Sequence, residues 1–495
     1  MTPPGQGEQT GLAHWMHRVL AESARVLKLR KRAATPREAA RAARAVHDLR
    51  VALRRCRTIA AGLEDVDPSP QWPRMKRAAG RLFGAFGRLR DLQVTRQWLA
   101  NLGARPDALR AALEILLADE EKRAAAAAQR VARRFHRKQW RKWAGNLAAR
   151  ARRIPPGGLV FQHIALREWQ EAQALHCAAL RRRSRAAWHQ LRIGVKRFRY
   201  AVENFLPEQH AAWGRDLKRA QDLLGEVHDL DVLWEAVKAE RSPQAAASRP
   251  AWRARIQQER AARLAEYRKR ASGANPLWEK WREGLPQGPR LELAALAWLR
   301  AWAAFQDPDA RRRRTLVSVA LQLFDGMAAA GVHAVFQDPR ARRILYAAAL
   351  TQHVGRPEGF RGHHKAAFRL IRHVSPPIGW SPRDMLWTAL VARYHRGADP
   401  RPAHEGYASL PPADQQAVAW LGGVLRLADA LTSCRPPVNR IRVESSGAIH
   451  VWAHGLSESA PERGLLNERK HLLEVASHRP VMIHAAANGR ARLAG

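Results

Sequence analysis

Two segments of the chain carry one basic pattern. His47-Asp48-Leu49-Arg50 leads through Arg54, Arg55 and Arg57, and His189-Gln190-Leu191-Arg192 leads through Lys196, Arg197 and Arg199. Each histidine is thus followed by basic residues at +3, +7, +8 and +10. Guanidinium groups take phosphate oxygens through paired N–H donors, ammonium groups hold them as point charges, and a histidine beside an anion gains a proton and a donor. On a helix, positions 0, +3, +7 and +10 fall within about 80° of one another. Each segment therefore predicts a narrow cationic stripe. The reverse side is apolar: Leu49, Ala52, Leu53, Cys56 and Ala60 in the first, Leu191, Val195, Phe198, Ala201 and Val202 in the second. One face packs and the other meets its ligand. A merely solvated face mixes signs, because opposite charges four residues apart support a helix and like charges repel. These stripes hold almost no acids, and the pattern occurs twice, so a polyanion is the expected occupant.

The whole chain fits that expectation. Its 495 residues include 86 Lys and Arg against 44 Asp and Glu, a formal net charge of +42. Such a balance points to nucleic acid, polyphosphate or an anionic surface as partner. The excess is uneven: residues 291–495 hold 27 basic and 16 acidic residues, the first 290 hold 59 and 28. Polyanion binding is expected in the first part. Three cysteines (Cys56, Cys177, Cys434) without a CxxC suggest neither a disulfide framework nor a structural zinc site, which fits a reducing cytoplasm. The start, MTPPGQGEQTG, lacks a basic region followed by an apolar one, and no apolar run nears the roughly 18 residues of a spanning helix. A soluble cytoplasmic protein with no membrane partner is expected.

The length allows roughly two to four domains. Residues 1–11 read as a polar tail. From 12 to 271 Ala, Arg, Leu, Glu and Trp recur at helical period, broken at Asp67-Pro68, Arg105-Pro106, Pro155-Pro156-Gly157-Gly158 and Leu206-Pro207. The Pro155 break divides two repeat halves, 12–154 and 159–271. His47 and His189 lie 142 residues apart, and Gly87-Arg-Leu-Arg-Asp91 lies 138 before Gly225-Glu-Val-His-Asp229. Both later segments follow basic pairs one turn apart, Arg77 with Arg81 and Arg215 with Arg219. A linker is expected over 272–290. Helices are expected over 291–332, 339–352, 363–373, 382–395 and 412–433, within a helical domain spanning 291–438. A small α+β tail, 439–488, follows, with a hairpin around Ser445-Ser446-Gly447, a helix over 466–476 and a strand at Val481.

The doubled signature resembles the CHAD domain, a conserved-histidine α-helical domain, over about residues 12–271. The residues that carry it are Val46 to Arg57 with Gly87-Arg-Leu-Arg-Asp-Leu-Gln-Val94, then His189 to Tyr200 with Leu217-Lys-Arg-Ala-Gln-Asp-Leu-Leu-Gly225 and His228-Asp229. The resemblance implies two pseudo-symmetric helical bundles whose basic stripes line a shared groove for inorganic polyphosphate. Carried over by position, the binding residues are His47, Arg50, Arg54, Arg55, Arg57, Arg77, Arg81, His189, Arg192, Lys196, Arg197, Arg199, Arg215, Lys218 and Arg219. Polyphosphate offers charge and no bases, so it asks for cations and not for an aromatic platform. Single-strand nucleic-acid binders interleave aromatics with basic residues, whereas most of the 18 Trp here sit within Ala/Leu/Arg helices. Asp91, Asp222 and Asp229 read as helix caps or arginine orienters.

Residues 292–486 resemble the C-terminal HD-type helical domain of exopolyphosphatase/guanosine pentaphosphate phosphatases. The carrying segments are Val319 to Asp325, Ala347 to Gly355, Gly362-His-His-Lys365, Arg393-Tyr-His-Arg396, Leu425 to Leu431, and Lys470 to Glu474. An HD metal site takes an upstream histidine, an adjacent His-Asp pair and a distant aspartate, which together hold an ion that activates water. Here the upstream histidine falls at Arg312 and the His-Asp pair is Gln352-His353; Asp429 is the remnant. The family's actin-like phosphatase module has no counterpart, and no Walker A or GxGxxG follows a strand. The sequence therefore reads as mainly α, duplicated CHAD bundles followed by a degenerate HD-like domain and a small α+β tail. Its expected role is non-catalytic polyphosphate binding, at polyphosphate granules or in phosphate metabolism, with no metal and no cofactor. His363, His364, Lys365, Arg393, His395 and Arg396 form a candidate second phosphate patch. The alternatives are an HD-type polyphosphate or nucleotide phosphohydrolase and a basic nucleic-acid-binding protein.

Overall fold

The computed structural model describes residues 11–30, 35–103, 107–273, 276–359, 361–438, 440–457 and 459–486. The polar tail before residue 11 and the Arg105-Pro106 break lie outside them. The chain divides into two compact units, 1–290 and 291–495. It is mainly α, with a single small sheet near the C-terminus among the described residues.

The first unit is built from α1 (Leu12–Arg30), α2 (Pro36–Glu64), α3 (Gln71–Leu102), α4 (Ala108–Arg133) and α5 (Arg137–Ala151), then α6 (Leu159–Arg182), α7 (Arg185–Phe205), α8 (Pro207–Ala239) and α9 (Pro243–Ser272). Starts are marked by side-chain caps: a Thr35–Glu38 capping box on α2, Asp107 on α4 and Ser184 on α7. Within each half, successive helices pack as neighbours; between halves, α2 meets α7, α3 meets α8 and α4 meets α9. Three helices thus pack on the helix at the matching place in the other half, and α5 is an extra helix against α1 and α3.

The apolar faces do the joining. Leu49, Ala52, Leu53, Cys56 and Ala60 of α2 and Leu191, Val195, Phe198 and Val202 of α7 are fully or almost fully buried. One core cluster draws Leu92 and Leu99 of α3, Leu113 of α4, Leu230 and Leu233 of α8 and Trp252 of α9 together, so neither half closes its core alone. At Gly62 of α2 a Cβ would stand 2.7 Å from the Phe205 ring, which stacks on Phe161. The expected linker is instead partly helical. Trp278 and Trp281 of α10 (Leu277–Glu283) are buried against Trp169, His176 and Phe198. Their apolar area outweighs the turn signals around them.

The second unit follows with α11 (Gly288–Gln306), α12 (Ala310–Ala329), α13 (Pro339–Thr351), α14 (His363–His373), α15 (Pro382–Tyr394) and α16 (Pro412–Ser433). Helix α16 is buried along almost its whole length, and α12, α13, α15 and α17 (Ala460–Ser477) surround it. Strands β1 (Arg440–Ser445) and β2 (Ile449–His454) form the antiparallel hairpin; β3 (Val481–Ala486) lies parallel to β2 after the α17 crossover. The sheet packs on α12, where a Cβ on Gly326 would meet Val443 at 2.8 Å.

Candidate functional site

The two stripes converge. Arg50 and Arg54 of α2 and Arg192 and Lys196 of α7 line one cleft of about 320 Å³, with Phe83 of α3, Tyr200 of α7 and Gln221, Gly225 and Asp229 of α8. A second cleft of about 330 Å³ shares Arg54, Phe83, Lys196 and Tyr200 and adds Arg57 and Lys76. Burial first, and then the charges of Arg192, Arg54, Arg50 and Arg57, push the Lys196 ammonium down to about 8. Cations from both halves therefore face one buried amine. Burial also lowers the pKa of Arg50 and Arg57.

These arginines are held by rings rather than by acids. The Arg50 and Arg57 guanidiniums lie 4.8 and 5.0 Å from the Phe83 centroid, and Arg54 lies 5.0 Å from that of Tyr200. An aromatic face steadies a cation without neutralising it. Arg50 Nη1, Arg54 Nε and Arg57 Nε are buried and have no hydrogen-bond partner. Gly87 of α3 makes room, since a Cβ there would come 3.3 Å from Arg50 Nη1. Sequence reasoning missed Phe83, Tyr200 and Lys76; the signal available was the α3 spacing Lys76–Phe83–Gly87, one stripe of that helix.

Not every expected residue reaches the groove. The +8 position sits about 100° from +7, and both residues there are engaged by acids. Arg55 pairs with Glu203, donates to Asn204 at 2.8 Å and covers Trp15; burial is the main reason its pKa falls. Arg197 is exposed and paired with Glu168 and Glu171 of α6, and it lines the second cleft beside Glu168. Arg199 lies by Tyr200 and 3.7 Å from Glu203. On α3, Arg77 is exposed and Arg81 lines a different cleft with Arg134, His136 and Trp143. On α8, Arg215 is exposed, Lys218 pairs with Asp222, and Arg219 is bidentate to Glu266. The residues of α8 that do line the groove are Gln221, Asp222, Gly225, Glu226 and Asp229. His47 is exposed, while His189 Nδ1 stands 3.3 Å from His228 Nδ1.

Residues 23–238 match the CHAD domain family. This part of the chain is a CHAD domain. A crystal structure of the CHAD domain from the plant Ricinus communis is similar at 23% identity, over 55% of this chain and 88% of that one, with a TM-score of 0.36. No curated protein matches the chain. Within the CHAD domain the two histidine positions differ. Burial, Arg192 and His189 push His228 down to about 4, and burial raises Asp229 to about 6 despite Arg192. The α7–α8 contact thus carries a neutral imidazole at His228, beside His189.

In the second unit, Arg361, His363, His364, Arg396 and Arg469 line a cleft of about 410 Å³. His364 is held to about 4 by burial and by neighbouring positive groups. The expected patch does not assemble as one surface. Lys365 is exposed outside this lining, Arg393 lies 5.2 Å from the Phe368 ring, and His363 and His395 are 1% exposed. Those two histidines face inward because α14 and α15 pack along that side. His363 Nε2 lies 3.2 Å from His395 Nε2, and one ring nitrogen from each of His353, His363 and His395 lies within 4.8 Å of the others. Asp429 Oδ1 stands 3.5 Å from His353 Nε2, 3.0 Å from Gln352 Nε2 and 3.3 Å from Arg312 Nη2. Burial pushes His395 down to about 3 and lowers His353. Burial opposes ionisation of Asp429, but the His353 hydrogen bond, His395 and Arg312 hold it well below the usual carboxylate range.

Proposed function

We propose that this protein binds inorganic polyphosphate in the groove between the two halves of its CHAD domain, without cleaving it. The observation that carries the reading is the set of buried, unpartnered arginine nitrogens at Arg50, Arg54 and Arg57 around the half-buried Lys196. Clustered cations held away from water are costly unless an anion lies among them, and a chain of phosphates supplies one charge per step along the groove. Nucleic acid fits less well. The groove's rings, Phe83 and Tyr200, are already covered by guanidiniums, which leaves no open platform for base stacking. The protein would act in the cytoplasm at polyphosphate granules, as a binding or targeting factor.

For residues 291–495 we propose an HD-type helical domain whose water-activating set has been lost. Support comes from the meeting of Arg312, Gln352, His353 and Asp429, the four positions at which the motif aligns. Competition tests the main reading: long-chain polyphosphate should displace labelled RNA from the full-length protein at far lower phosphate concentration than RNA displaces polyphosphate. The reverse order would overturn it.

A further inference from the structure

We propose that His353, His363 and His395 hold a divalent transition metal of the zinc class, with Asp429 as the residue that positions His353. The proposal concerns the second unit and stands apart from the polyphosphate reading. The three histidines come from different places in the chain: just beyond α13, at the start of α14 and just beyond α15. The fold nevertheless brings one ring nitrogen of each within 4.8 Å of the others, and all three side chains are buried.

The nitrogens are prepared for a ligand role. His395 Nδ1 donates to the Ala392 carbonyl at 2.6 Å, which leaves the Nε2 lone pair directed at His363. His353 Nε2 faces Asp429 Oδ1 at 3.5 Å and the Gln352 amide at 3.0 Å, and its Nδ1 is buried with no hydrogen-bond partner, the nitrogen left for the ion. A carboxylate or carbonyl behind the imidazole is how metal-binding histidines are oriented, and His353 and His395 each have one. Bonds of about 2.1 Å to a tetrahedral ion put neighbouring ligand atoms about 3.4 Å apart, and His363 and His395 stand at 3.2 Å. Three imidazoles select a zinc-type ion over magnesium or calcium, which take oxygen. Water fills the fourth position, as in three-ligand sites. This set differs from the HD pattern, since the positions that pattern supplies upstream are Arg312 and Gln352.

The test uses the full chain, purified with a tag free of histidine, stripped with chelator and titrated with Zn²⁺ against a chromophoric competitor. One equivalent should bind per chain, and Co²⁺ in its place should give the visible absorption of a low-coordinate site. His363→Gln and His395→Gln should each weaken Zn²⁺ binding beyond the ~10- to 100-fold expected for Asp429→Asn, which removes only the positioning carboxylate. His373→Ala, an exposed histidine at the far end of α14, should bind as the parent does. Circular dichroism of the stripped variants checks folding; Asp429→Asn keeps shape and all three imidazoles, so its affinity reads out even where a histidine variant fails to fold. Absence of a stoichiometric site in the parent, or parental affinity in the three weakened variants, would overturn the proposal.

Discussion

Replacing Arg54 and Lys196 together by alanine removes one cation from each half of the groove. Both line the same clefts, and neither carries a salt bridge among the described residues. A hydrogen bond to a charged group is worth about 1.5–3 kcal/mol. The free groove, however, repels itself: the surrounding arginines contribute to the low pKa of Lys196, so part of each contact is spent on bringing that charge to the ligand. A combined loss of about 2–4 kcal/mol remains, roughly 30- to 1000-fold in Kd. The salt dependence gives a second, independent number. For a single-stranded polyanion each lost phosphate contact lowers the slope of log K against log salt by about 0.7, so two contacts lower it by about 1.4. Anisotropy of end-labelled long-chain polyphosphate across a salt series measures both, with helicity followed by circular dichroism. An unchanged slope, or affinity lost only because the variant unfolds, refutes the reasoning.

Arg55→Ala should behave in the opposite way, costing about 1.5–3 kcal/mol of stability in a urea melt by removing its bonds to Glu203 and Asn204, with Arg199 left beside Glu203, while the polyphosphate salt slope stays at the parental value. Polyphosphate affinity should fall as pH rises through about 8, where Lys196 loses its proton in the free protein, and Lys196→Arg should abolish that fall. The same depressed ammonium has a stability signature: the unfolded chain binds its proton up to the ordinary lysine value, so stability rises with pH above about 8, and a pH series of denaturant melts reads the sign. Trp281→Ala should destabilise the first unit by about 3–5 kcal/mol in the same melts, because this fully buried ring packs on Phe198; a loss below about 1 kcal/mol would return the segment to the status of a linker.

Much of the groove can be read from spacing. The positions at +3 and +7, Arg50, Arg54, Arg192 and Lys196, fall on one stripe of any helix, and the apolar residues opposite leave that helix one way to pack. The same angular argument puts Arg55 and Arg197 off the stripe. Their place in the doubled basic motif drew them into the expected site, yet the acids that engage them, Glu203 and Glu171, stand on neighbouring turns or helices that no local pattern ties to them. The α3 and α8 pairs lie off the two clefts for a similar reason. Arg77 and Arg81 are one turn apart, but which face of α3 meets α2 depends on how the helices cross.

What the linear order of residues decided here is periodic: helices over most of the chain, a basic motif that occurs twice, two cationic stripes and a small α+β end. These follow from local turn geometry and from which side of each helix is apolar. Partnership was decided by the fold. Only the packing of α2 on α7 and of α3 on α8 turned two stripes into one groove and laid Phe83 and Tyr200 under its arginines. Only the convergence of α13 to α16 gathered His353, His363 and His395, which look unrelated in sequence, beside Asp429. Side chains separated by tens of residues meet according to helix crossing and burial, and those depend on the whole apolar surface rather than on any one segment.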